Sequence, residues 1–244
     1  MVNEFQKLHP NLAVMTELER AAQENKEIKK YLEEIQARPC DGLPIANRPK
    51  MTYDLVKERF AEGRKIPISS GAAKQLSDED FKRLADDFLK EKNPIEQEKY
   101  LRAFGKRKFP HDHSSIFEVA RSQNSRNSQR VSLACEALAY FQSGDIRKFA
   151  IEKLSQTNRP ADYLPLLVSN YEKGDVELLS KIISQARSEE NIHSLGIGLI
   201  EIYRANGTKK CRKPLEILYA KMNCGLHRVD LLEILLENEV LSEE

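Results

Sequence analysis

The stretch Gly144-Asp145-Ile146-Arg147-Lys148-Phe149-Ala150-Ile151-Glu152-Lys153-Leu154 decides how this chain is read. A helix-capping aspartate opens it, apolar residues follow at helical steps, an arginine sits near the first turn, and the small Ala150 leaves room for a neighbouring helix. Its Gly-Asp opening returns at Gly174-Asp175, 30 residues later. A period of that length marks a helical hairpin that stacks on copies of itself, because one hairpin cannot bury its own apolar faces. The expected fold is all-α, a right-handed α-α superhelix with an N-terminal helical extension. Its expected division is a helical segment and linker over 1–50 and the repeat array over 51–244.

Working toward the C-terminus, apolar spacing and brief polar connections predict helices over 114–121, 128–141, 145–154, 161–171, 175–186, 189–203, 213–222 and 226–236. No window alternates β-branched residues between turn signals, so no sheet is expected. The acidic tail with Glu233, Glu237, Glu239, Glu243 and Glu244 suits the polar outer face of an end unit.

Toward the N-terminus, Asn93-Pro94 reads as N-cap and first helical residue of a helix that stops at Gly105. Ser77-Asp78-Glu79-Asp80 opens another helix, with Leu84, Phe88 and Leu89 as its buried stripe. A shorter helix covers 52–61, and 63–71 reads as a loop. Two prolines and a glycine in Pro39-Cys40-Asp41-Gly42-Leu43-Pro44 break the pattern and place a linker over 39–50. Before it, Leu12, Met15, Leu18, Ala22, Ile28, Leu32 and Ile35 give one or two amphipathic helices over 11–38.

With 40% hydrophobic and 32% charged residues in 244, the composition is that of a globular chain. The net charge of +1 excludes a molecule that is basic throughout, so any contact with nucleic acid must be local. No run approaches the length of a membrane span, and residues 1–10 lack the apolar core of a signal peptide. A cytoplasmic protein without membrane contact is expected. Cys40, Cys135, Cys211 and Cys224 are widely spaced and are read as reduced thiols.

Five strings, Tyr100-Leu101-Arg102-Ala103-Phe104, Phe109-Pro110, Asp145 to Leu154, Asn170-Tyr171-Glu172-Lys173-Gly174-Asp175 and Tyr219 to Arg228, carry a resemblance to HEAT-like helical-repeat (α-solenoid) proteins. The region from about Asn93 onward is similar to an uncharacterised bacterial group of such repeats. The resemblance implies a solenoid that binds another macromolecule, and it carries over no activity and no site residue.

Three readings of function follow. In the first, the chain is a non-enzymatic scaffold for a protein partner, with no cofactor. The second rests on eight cations against two acids over residues 99–130. Arg102, Arg107, Arg126, Arg130 and Arg147 would line a concave basic surface and meet phosphates spaced along a nucleic acid. In the third, Cys224 and His227 place a thiol and an imidazole one helical turn apart, a weak start for a metal or thiol site to which Cys211 and His193 could add. His111-Asp112-His113 has the spacing of a partial metal site, but Asp112 or Ser114 as an N-cap explains it more simply. Phosphate loops, nucleophile elbows and zinc-protease helices are absent from the sequence. Phe81, Phe88, Tyr100, Phe104, Phe117, Tyr140, Phe141 and Phe149 read as core rather than as base-stacking platforms.

Overall fold

The computed structural model describes residues 20–26, 28–30, 50–63, 68, 70–122 and 128–241. It divides into two compact units, Met1–Pro49 and Lys50–Glu244, each taken here by itself. In the first unit the described residues are helical on both sides of Asn25, whose side chain accepts from the Ile28 amide at 3.3 Å and so starts the second piece. The expected linker over 39–50 lies outside the described residues apart from Lys50.

The second unit contains α-helices and short 3₁₀ turns, with no strand among the described residues. Its helices are α1 Tyr53–Ala61, α2 Ser70–Gln75, α3 Asp78–Lys90, α4 Pro94–Phe104, α5 Ser114–Arg121, α6 Ser128–Leu138, α7 Gly144–Gln156, α8 Val176–Gln185, α9 Glu189–Ala205, α10 Arg212–Lys221 and α11 Gly225–Glu237. No helix among the described residues is long and apolar enough to cross a membrane.

Side-chain caps set the starts that the sequence announces. Thr52, Ser77, Asn93 and Ser188 each accept an amide proton from the first turns of α1, α3, α4 and α9. Pro94 occupies the first position of α4, and Gly105 closes it. Helix α3 buries Phe81, Leu84, Ala85 and Phe88 on one stripe, while Leu89, one residue off that stripe, is exposed. Phe81, Phe88 and Phe109 meet Phe104 edge-on with centroids 4.8–5.6 Å apart, a favoured aromatic geometry at the centre of this half of the core. Tyr140, expected in the core, is 39% exposed.

The helix expected over 161–171 does not form. Pro160–Asp162 and Leu164–Leu167 are short 3₁₀ turns instead. Pro165 would remove one α-helical hydrogen bond and crowd the carbonyl four residues before it. All four residues of Leu164–Leu167 are nevertheless buried.

That short segment is a rung in a layer. Helix α4 packs on α6, α6 on Leu164–Leu167, that segment on α9, and α9 on α11. On the other side α7 packs on α8, and α8 on α10. Helices α5, α9 and α10 join the two sides through α6, α10 and α11 respectively. Close approach along the first layer depends on Gly198 in α9, where a Cβ would lie 2.7 Å from Leu164 Cδ1 and 2.8 Å from its Cβ.

Within this unit, asparagine side chains tie neighbouring segments to backbone carbonyls. Asn170 Nδ2 donates to Leu166 O and Phe141 O at 2.8 Å, while its Oδ1 accepts from Ser143 N at 2.8 Å. Asn206 repeats the device 36 residues on, donating to Ile202 O at 2.9 Å and Val168 O at 2.8 Å. Asn238 donates to Ile234 O at 2.8 Å, and its Oδ1 would lie 3.6 Å from a Cβ on Gly207.

The two Gly-Asp aspartates have different roles. Asp145 lies exposed in the first turn of α7, complementing the helix dipole without capping it. Asp175 is buried, accepts from Glu172 N and takes both arms of the Arg147 guanidinium at 2.8 Å. Asp175→Asn removes the charge from a buried site while Arg147 keeps Glu172 and the Asn170 carbonyl, so the substitution is expected to cost about 1–3 kcal/mol. Gly198→Val, which drives a side chain into Leu164, is expected to cost about 1–3 kcal/mol. Urea midpoints of the two variants against the parent chain measure both.

Candidate functional site

The arginines singled out in the sequence are held by their own chain. Arg102 pairs with Glu98 one turn away on α4 at 2.8 Å. Arg107 donates to Leu76 O at 2.7 Å, pairs with Asp78 and lies 4.4 Å from the centre of the Phe81 ring, locking the turn between α2 and α3. Arg130 reaches Gln97 Oε1 at 3.0 Å and Ser122 Oγ at 3.4 Å. Arg147 holds Asp175, Glu172 and the Asn170 carbonyl, and the two carboxylates, Asp175 foremost, raise its already high pKa. Arg126 lies outside the described residues. None of the four described guanidiniums lines the large groove of this unit.

That groove, of about 1670 Å³, runs over α6, the loop at Ala139 and Tyr140, the turn over 157–169 and α9. Neighbouring elements bring four carboxylates to it: Glu136 from α6, Asp162 from the first 3₁₀ turn, and Glu190 and Glu201 from α9. Burial pushes the Glu136 carboxyl above its ordinary pKa; Lys106 opposes that shift through space and Glu201 adds to it. Gly105 makes the room, since a Cβ there would stand 3.0 Å from Glu136 Oε2. Burial likewise raises Asp162, against the pull of Arg159 at 3.0 Å. Arg204, also in the lining, is tied to Asp230 and Glu233. Lys106 and Lys181 face the same space, and Tyr140 and Ile197 add exposed apolar surface. The groove is thus mixed in character, with half-buried negative charge between apolar and cationic side chains.

A second cluster forms where α9 and α11 begin. One ligand atom from each of His193, Cys224 and His227 lies within 4.8 Å of the others. The spacing of Cys224 and His227 points to this pair, and His193 joins across the packed helices. Cys211 lies in the core and is not a member. His111 and His113 do not enter such a group: His111 Nε2 meets Asp86 at 2.7 Å, and Asp112 accepts from Ser114 N at 2.8 Å. The hydrogen bonds of Ser114 to the exposed Asp112 carboxylate hold it below its ordinary pKa, but the residue at the cap position of α5 is His113, which caps with no side-chain bond, and neither Asp112 nor Ser114 takes the cap expected of it.

Asn170 and Asn206, 36 residues apart, are the sequence signal of the ties to Phe141 and Val168, and helix spacing alone passes over it. The mixed lining of the groove had no local signature, because Glu136, Asp162 and Glu201 come from segments 26 and 39 residues apart.

No protein-family model, curated protein or solved structure matches the chain.

The raised carboxyl of Glu136 fixes the sign of a pH effect. Its folded pKa exceeds its unfolded one, so the charged form opposes folding at neutral pH, and the cost disappears as pH falls through the folded value. Glu136→Gln is expected to raise the urea midpoint at neutral pH. The gain over the parent should shrink to nothing on acidification, as followed in a pH series of unfolding curves.

Proposed function

We propose that the chain is a non-enzymatic scaffold, a HEAT-like right-handed superhelix of stacked hairpins, whose groove between α6 and α9 takes a segment of a protein partner. The observation that carries this reading is the mixed groove. Glu136 and Glu201 call for a cation from the partner, and Tyr140 and Ile197 offer apolar contact beside them. Contacts between next-but-one helices, and ties that recur at unit boundaries, support the stacked-repeat reading. Against a polyphosphate, the groove sets Glu136, Asp162, Glu190 and Glu201 among its cations, and of the described arginines behind that reading Arg102, Arg107 and Arg147 are ion-paired within the chain while Arg130 is hydrogen-bonded to Gln97 and Ser122. The expected occupant is therefore a peptide or helix with basic and apolar side chains.

The experiment is a selection of random peptides on the full chain, run beside fluorescence anisotropy of labelled duplex and single-stranded oligonucleotides at two salt concentrations. The expected result is enrichment of basic, apolar peptides whose affinity drops by about tenfold or more in Glu136→Lys and Glu201→Lys, with no oligonucleotide binding. Oligonucleotide binding that weakens steeply with salt, together with an empty peptide selection, would replace this reading with the nucleic-acid one.

A further inference from the structure

The helix starts in the last two units place an imidazole, a thiol and a second imidazole around one point. Ser188 caps α9 by accepting from Asn191 N at 3.3 Å, which sets His193 early in the helix on an exposed position. Cys224 precedes α11 with extended backbone, and His227 follows in its first turn. Because α9 and α11 pack on each other, residues more than 30 positions apart in sequence become neighbours.

Two braces hold the approach to Cys224. Asn223 donates its amide to Glu189, the first residue of α9. Lys221 donates to Ile183 O, Ser184 O and Ala186 O at 2.9, 2.8 and 3.1 Å, closing the end of α8. The His193 and His227 rings stand edge to face, with centroids 4.5 Å apart. A ring contact alone accounts for that angle but leaves His227 Nδ1 buried without a hydrogen-bond partner. A buried polar atom of this kind calls for a partner.

We propose that His193, Cys224 and His227 bind a borderline transition-metal cation, zinc by preference, with water completing a tetrahedral shell. One thiolate and two imidazoles are donors suited to such an ion. Ligand atoms around tetrahedral zinc lie about 3.5 Å apart. A cluster already within 4.8 Å needs only small side-chain rotations to close on the cation. With three protein ligands the fourth corner stays open, the arrangement of a site that can exchange a ligand. This inference is independent of the groove, and failure of either leaves the other standing.

The test titrates cobalt(II) chloride into the chelator-treated, reduced full-length protein and then displaces it with zinc chloride. Expected are visible ligand-field bands of tetrahedral intensity, a near-ultraviolet thiolate-to-cobalt charge-transfer band, loss of both on adding zinc, and a higher melting temperature with zinc. Cys224→Ser should abolish the charge-transfer band. His193→Gln and His227→Gln should each weaken binding by about tenfold or more with helical circular dichroism unchanged. His111→Gln should leave the spectrum intact. Absence of bands in the parent chain, bands that survive in Cys224→Ser, or bands lost only in His111→Gln would each overturn the proposal. Because His193 is exposed, its substitution tests the site even if a variant at Cys224 or His227 fails to fold.

Discussion

Backbone carbonyls left over where helices end are the constraint around which the 50–244 unit is organised. Each helix finishes with acceptors that have no amide within the helix, and packing the ends together would bury them unmet. Here neighbouring segments supply the donors. Tyr140 reaches the Gly105 carbonyl, Ser169 that of Ala139, Asn170 that of Phe141, and Asn206 that of Val168. Lys221 serves three carbonyls at the end of α8, and Arg107 the one at Leu76. Apolar burial draws the helices together without direction, whereas these bonds are directional and fix the register at which neighbouring segments meet.

The same demand explains the use of positive charge. With 39 basic and 38 acidic residues the chain is nearly neutral, and several of its cations stand against specific partners. Lys57 illustrates this: its ammonium donates to Asp87 at 2.8 Å and to the Tyr100 hydroxyl at 2.6 Å, joining α1, α3 and α4. Burial disfavours both charges, yet the bonds from Lys57 and Tyr53 hold the Asp87 carboxyl below its ordinary pKa. Local excess of arginine in a sequence therefore measures how many helix junctions need fastening as much as it measures affinity for phosphate.

Legibility in the sequence follows the range of the responsible interaction. Ser77, Asn93 and Ser188 act within a turn, and the helices they start are readable from neighbouring letters. Residues 161–171 failed because apolar spacing carried more weight than Pro165, whose missing amide decides the matter. Leu89 failed by a single step around α3. Arg107 and Arg147 find partners 29 and 28 residues away, so their residue type was visible and their roles were not. Cys224 and His227 were readable as a pair because one helical turn separates them, but His193 reaches them only through the packing of α9 against α11. The groove carboxylates lay beyond any local pattern for the same reason.

Leu164–Leu167 carries a consequence for how the molecule comes apart. Four buried residues stand where the rest of their layer has helices of eleven or more, from α4 and α6 on one side to α9 and α11 on the other. Cooperativity between packed elements passes only through the contacts they share. Because all four residues are buried and the segment meets α6, α7 and α9, its loss would expose apolar faces on both of its sides at once.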